Sequence, residues 1–372
     1  PLAMGDRYEA QQLGTVTPAQ VTGVLWLDEN NDGRMDASER MPAGKTITVV
    51  DEDTGTVFAK LTTDEQGAFA VRGLVPGNYT FRYALDEQTL AAPAGDSTFT
   101  QVGSHLQQAV TVQEGDSVSS LKLGVVMYTS LGGQVWLDRA GVMEPVVGAH
   151  VLLTDANGAQ VALADSAEDG TYRFNNLMPG TYYLAATLPE GYLVVEPDDA
   201  RLTEGGHTSV LVQTNGQSGQ SDKIVLRMAE DQLHLDMGSV LPGSLGDQAW
   251  LDLNGNGVYD SDEPGLPGVT VRLLRNGTVA HENVTNAYGY YLFKDVYPSA
   301  YTLEVVYPAE VKPTQQGSGL LTSILPASDA DTVQLEGVQV ESDVATRTAD
   351  MGFVLRQAGV YPAEVGDAPT QD

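Results

Sequence analysis

Two stretches of this chain place oxygen-bearing side chains at the spacing that a hard divalent cation requires. The first runs Asp28, Asn30, Asp32, Asp36 and Glu39; the second runs Asp252, Asn254, Asn256, Asp260 and Glu263. In both, oxygens fall at positions 1, 3, 5, 9 and 12 of a loop, with Gly33 or Gly257 at position 6. Those offsets are the ones a calcium loop uses, with a bidentate glutamate last and a glycine to allow the sharp turn. Position 7 contributes a main-chain carbonyl, here that of Arg34 or Val258. Asp, Asn and Gly also favour solvated turns without metal. Such a turn has no use for Glu39 and Glu263. Calcium is therefore expected at two sites or more, in an extracellular setting and in a structural role.

The elements that would position these loops recur three times. Trp26, Trp136 and Trp250 are each followed by Leu-Asp, the aspartates being Asp28, Asp138 and Asp252. A second pattern, running from a glycine through an aromatic residue to a Pro turn and a tyrosine, spans Gly67 to Tyr79, Gly170 to Tyr182 and Gly289 to Tyr301. A third closes each unit: Leu123-Gly124-Val125, Met237-Gly238-Ser239 and Met351-Gly352-Phe353. Three anchors in one order define units 14–127, 128–241 and 242–356. Residues 1–13, opening PLAMG, read as a cloning remnant or linker. The tail 357–372 has no periodicity and is expected to be disordered.

Each unit reads as β. Short alternating stretches such as Lys45–Val50, Ala149–Leu153, Val269–Leu274 and Tyr301–Val306 are separated by Asn157-Gly158, Asn276-Gly277 and Pro-Gly turns. No long segment carries helical periodicity with caps. The fold class is all-β, with three tandem antiparallel sandwiches. Tyr79, Tyr182 and Tyr301 are expected in the core, each hydroxyl reaching a loop backbone. Because strands flank the metal loops, they should rigidify rather than open like a helix-pair switch.

The second unit is an internal control. Its stretch after Trp136 has lost five residues, leaving Asp138 and Glu144 without the middle oxygens. It should fold without metal, with Val142 and Met143 closing the shortened loop.

Composition narrows the function. Nineteen basic against fifty acidic residues give a net charge of −31, which argues against nucleic acid and anionic membranes as partners. With no cysteine, disulfides, thiolate nucleophiles and cysteine-based zinc sites are excluded. No apolar run is long enough to span a bilayer. The histidines His105, His150, His207, His234 and His281 are scattered, and neither a nucleophile elbow nor a phosphate-binding loop is present. No catalytic constellation emerges.

The stretch Gly243–Leu274, with Asn286–Val305 and the closing Ala349–Phe353, resembles the SdrD B-like domain. That family is the B-type repeat of serine-aspartate-repeat adhesins on Gram-positive cell walls, related to collagen-adhesin B domains of prealbumin-like (Ig-like) fold. The likeness covers all three units, closest in the third and degenerate in the second. It implies a seven-stranded, calcium-stabilised sandwich strung into a stalk, with the loop residues named above as ligands. It also makes Asp64 and Asp350 weak candidates for further calcium sites. Some relatives form Lys–Asn or Lys–Asp isopeptide bonds; the unit openings here contain no lysine, so none is expected.

The first functional expectation is thus a tandem, calcium-stiffened, monomeric stalk on a bacterial surface. In it the loop lies at the pole facing the next unit. The alternative is a module binding a host protein, a glycan or another surface protein through exposed aromatics, for which Tyr288, Tyr290, Tyr291, Tyr297, Tyr301 and Tyr307 are available. An enzyme has no supporting residue set.

Overall fold

A computed structural model describes residues 14–203, 207–228, 230–317 and 321–362. The expectations for 1–13 and for 363–372 lie outside these residues. Strands account for nearly all regular structure, apart from one short helical turn at Ala200–Thr203. The strands assemble into six sheets, and buried side chains form one principal core per repeat.

The three sequence anchors meet at one place in every repeat. The first strand (Ala19–Leu27, Thr129–Arg139 or Gly243–Leu251) pairs parallel with the last (Ser117–Met127, Met237–Val240 or Met351–Leu355). The remaining pairings are antiparallel, so each sandwich carries parallel pairing only where its first strand meets the strands that close the unit. The register sets Trp26 against Gly124, Trp136 against Gly238 and Trp250 against Gly352. This explains the third anchor. A Cβ at Gly124 or Gly238 would fall 2.5 Å from the indole ring, and at Gly352 2.8 Å.

The glycine that opens the second anchor packs against the same strand. Gly67, Gly170 and Gly289 all have positive φ, and their carbonyls accept the N–H of Leu25, Val135 and Ala249, the residues just before each tryptophan. At the far end of that anchor the tyrosines are buried, and each hydroxyl donates to a carbonyl four residues back: Tyr79 to Val75 at 3.1 Å, Tyr182 to Met178 and Tyr301 to Tyr297 at 2.8 Å. The tyrosine expectation therefore holds in all three repeats.

Local sequence dictates the hairpins. Asn276 and Gly277 both have positive φ, the conformation of a two-residue I′ turn matched to strand twist. Ala140 and Gly141 adopt it too. Val142 and Met143 close the shortened loop as expected, by pairing with Asp138 and Arg139 in a tight hairpin rather than by burial, since Val142 is 61% exposed. Deleting the middle of the loop let the first strand run on into a ladder.

Gly238→Ala is expected to destabilise the second repeat by about 1–3 kcal/mol, because neither the indole nor the paired backbone can retreat. Calorimetry of the whole chain should show one transition moving down and the others unmoved.

Candidate functional site

The first strand delivers an aspartate to the end of the sandwich, and pairing with the last strand continues through it: Asp28 N–H donates to Val125 O, and Asp252 N–H to Phe353 O. The side chain is thereby carried inward. Asp28 and Asp252 are 0% and 2% exposed; Glu39 and Glu263, at the loop ends, are 9% and 1% exposed.

Backbone N–H groups then wrap these carboxylates in the same way twice. Asp28 accepts from Asp32 at 3.0 Å and Gly33 at 2.8 Å. Asp252 accepts from Gly255 at 2.7 Å, Asn256 at 3.2 Å and Gly257 at 2.8 Å. Glu39 spans its loop, taking the N–H of Glu29 and of Asp36; Glu263 does likewise with Leu253 and Asp260. Asn30 and Asp32, like Asn254 and Asn256, each accept an N–H two residues on. In the third repeat Asn254 and Asn256 also donate to Asp260, at 2.7 and 3.0 Å, so positions 3, 5 and 9 converge. In the first, Asn30 donates to Asp32, and Asp36 is tied in through its backbone. The Val258 N–H is used by Asn256, and its bridge to Thr322 runs through the backbone of Gly257 and Tyr259, which does not consume the Val258 carbonyl.

Two residues at these loops escaped sequence reasoning. Thr314 donates its hydroxyl to Asp252 at 2.6 Å, and Asp96 accepts the Met35 N–H at 3.0 Å. Both lie about sixty residues downstream of their loops and belong to no motif.

The electrostatics are unbalanced. Among the described residues no Lys, Arg or His forms an ion pair with Asp28, Glu39, Asp252 or Glu263. Burial, followed by the mutual repulsion of Asp28, Asp36 and Glu39, pushes the Glu39 carboxyl above its ordinary range. Burial does the same to Asp28 and Glu263, against the lowering effect of their N–H donors. The donor set fits a hard cation: carboxylates, amide oxygens and a carbonyl, with no nitrogen or sulfur ligand. Among the described residues no three His, Cys, Asp or Glu side chains gather tightly enough to hold a metal by themselves, so asparagine and carbonyl oxygens would be needed.

The two weaker candidates part company. Asp64 closes an Asx turn onto Gln66 and Ala68. Asp350 is buried, and burial together with Asp247 pushes its carboxyl up to about 6. The tyrosine-rich surface also shrinks: Tyr291, Tyr301 and Tyr307 are core residues, while Tyr288 and Tyr290 are 59% and 47% exposed.

The three repeats share one plan, a β-sandwich with a buried acidic pole and a parallel pairing of first and last strands. The SdrD B-like domain model matches three times, at residues 19–124, 129–239 and 243–353, and the chain belongs to that family. Membership places it among Gram-positive cell-surface proteins. Similar relatives include serine-aspartate repeat-containing protein D of Staphylococcus aureus (strain Newman), 29% identical over 349 residues, covering 90% of this chain and 25% of that protein. Serine-aspartate repeat-containing protein F of Staphylococcus epidermidis is 27% identical over 351 residues, covering 88% and 19%. The chain thus spans a fifth to a quarter of these relatives. Among solved structures, the Bacillus anthracis TIE protein shares 15% identity at a TM-score of 0.34, covering 92% of this chain and 51% of that one. The major pilin subunit BcpA of Bacillus cereus shares 12% at 0.30, covering 90% and 99%. No helix among the described residues is long and apolar enough to cross a membrane.

The raised carboxyls fix a pH dependence. Without a cation the folded state holds these protons more tightly than the unfolded chain does. Stability is then full below the ordinary carboxyl pKa of about 4 and is lost as pH rises through the raised values. In chelator the melting temperature should fall as pH rises above the ordinary carboxyl pKa of about 4, and Glu39→Gln should flatten that slope. Asp350→Asn should stabilise the third repeat at neutral pH by about 1–2 kcal/mol. A loss seen in calcium but not in chelator would instead make Asp350 a ligand.

Proposed function

We propose that this chain is a calcium-stabilised spacer within a surface protein, holding other regions of that protein at a distance from the cell. Asp28, Asn30, Asp32, Asp36, Glu39 and the Arg34 carbonyl would hold one ion. Asp252, Asn254, Asn256, Asp260, Glu263 and the Val258 carbonyl would hold a second. A bound calcium ion would supply two positive charges to buried carboxylates that no Lys, Arg or His among the described residues pairs with.

The observation that carries this reading is the burial of two carboxylates per loop with no cationic side chain beside them. Burying unpaired charge costs several kcal/mol unless something neutralises it. The protein's own residues do the rest of the work. The N–H groups orient the oxygens, Gly33 and Gly257 permit the turn, and Thr314 and Ser323 brace the third loop.

The spacer reading draws on the junctions as well. The first loop touches the second repeat: Glu29 O lies 3.4 Å from Met228 N, and Arg40, paired to Glu29, reaches Met228 O at 3.5 Å. The loop pole faces the next repeat, as the strand order led one to expect. An occupied loop would stiffen the joint along with the domain. The reading involves no catalysis, and it gives any partner of the whole protein to regions outside this chain.

Titration calorimetry of the purified chain is expected to find two calcium sites, with Glu39→Gln and Glu263→Gln each removing one. At a hundredfold excess over Kd, calcium should raise the stability of the first and third repeats by about 2.7 kcal/mol. The second repeat should melt at the same temperature with calcium or chelator. Chelation should also change the maximum dimension measured by small-angle scattering. A chain that binds no calcium and melts identically in both buffers would refute the reading.

A further inference from the structure

The second repeat retains Asp138, the counterpart of Asp28 and Asp252, and Glu144, but none of the middle oxygens of the loop. The Asp138 carboxylate is buried nonetheless. One oxygen accepts the Gly141 N–H at 2.7 Å. The other is paired to the Nε of Arg201, whose side chain is itself only 20% exposed. Arg201 arrives from the helical turn Ala200–Thr203, in a segment that runs past the pole of its own sandwich. Its Nη1 donates to both oxygens of Asp199 at 2.8 Å and to the carbonyl of Pro298, in the third repeat, at 3.3 Å.

The third repeat answers with Tyr297. Its hydroxyl donates to Asp199 at 2.7 Å and accepts the Glu196 N–H at 2.9 Å. Its ring packs against the cluster of Trp136, Val195 and Val240 and lies under the Arg275 guanidinium, 4.7 Å away. Arg275 pairs with Glu196 at 2.7 Å. Arg139, next to Asp138, pairs with Asp343, and the Leu241 N–H donates to Ser342 at 2.9 Å. A cleft of about 580 Å³ lies beside these contacts, with both arginines in its wall.

We propose that Arg201 is the built-in replacement for the loop cation of the second repeat, and that with Asp138, Asp199 and Tyr297 it clamps the third repeat onto the second without divalent metal. Its contrast with the first junction rests on the calcium reading; the clamp itself does not. A guanidinium suits the task. It keeps its charge at any physiological pH, and its planar fork can serve two carboxylates and a carbonyl at once. An arginine crosses the first junction too, but Arg40 pairs with Glu29 beside the loop, and no arginine among the described residues is paired there with the buried Asp28. The two joints of one chain therefore differ: the first answers to calcium and the second does not.

The absence of cysteine lets spin labels be placed freely in the full-length chain. Lys60→Cys with Gln160→Cys spans the first junction, and Gln160→Cys with Ala287→Cys spans the second; all three positions are exposed. Distance distributions are measured in calcium and in chelator, with circular dichroism confirming that every repeat stays folded. The second distribution should be narrow in both buffers. Arg201→Gln should widen it roughly twofold in both, as a loosened domain contact would. Arg201→Lys and Tyr297→Phe should give intermediate widths, and they carry the test if Arg201→Gln unfolds the second repeat. A second distribution unmoved by these substitutions overturns the clamp, as does a wild-type chain whose second junction widens in chelator while the third repeat remains folded. If the first distribution ignores chelator while Arg201→Gln still widens the second, the clamp stands and the calcium reading falls.

Discussion

A carboxylate is buried at the end of the first strand in every repeat, and the architecture of the pole is the means of tolerating it. Asp28, Asp138 and Asp252 are all withdrawn from water, although nothing in strand pairing requires an acid there. Three or so N–H donors stabilise such a charge without cancelling it. The repeats complete the neutralisation differently. In the second, a side chain of the same protein brings the positive charge. In the first and third, no side chain among the described residues does, and the oxygens of asparagine and glutamate converge instead.

What holds the aspartate in place is the packing behind it. The tryptophan two residues earlier lies over a glycine on the last strand, and the turn glycine that opens the second anchor caps the backbone just before it. These contacts leave the first strand no freedom to slide, because a shift of one residue would turn the indole outward. Trp136 donates its indole N–H to Thr208 O at 2.9 Å, whereas Trp26 and Trp250 have no acceptor among the described residues. The degenerate repeat has thus rebuilt its pole more thoroughly than its shortened loop alone suggests. Arg201 supplies the cation for Asp138, and Thr208 the acceptor for the indole.

Much of this was legible in the sequence, because it repeats. The tryptophan, the turn glycine and the closing glycine recur at fixed order, and the structure shows why: they touch one another. The loop oxygens were legible because ligand geometry imposes spacing within a dozen residues. Other features were not. Arg201 sits in a segment with no counterpart pattern in the other repeats, and nothing local relates it to Asp138, sixty-three positions earlier. Thr314 and Asp96 are likewise brought to their loops by chain return. That Val142 and Met143 close the shortened loop was legible, but not the form of the closure: the Ala140-Gly141 turn makes them the return strand of an exposed hairpin. The tyrosines of the third repeat looked like a platform until alternation placed half of them inside.

Charge links these local solutions to the behaviour of the chain. A net −31 spread along a row of small sandwiches pushes them apart, and that repulsion favours an extended arrangement. Repulsion alone gives extension without direction, because screening at physiological salt confines it to about 8 Å. Directed stiffness has to come from contacts at the joints. At each joint one of the contacting residues is the one that follows the buried aspartate: Glu29 toward Met228, and Arg139 toward Asp343. The site that neutralises the pole and the surface that meets the next repeat are therefore one element. On the calcium proposal, the cation at the pole, metal ion or guanidinium, would also set how firmly the next repeat is held.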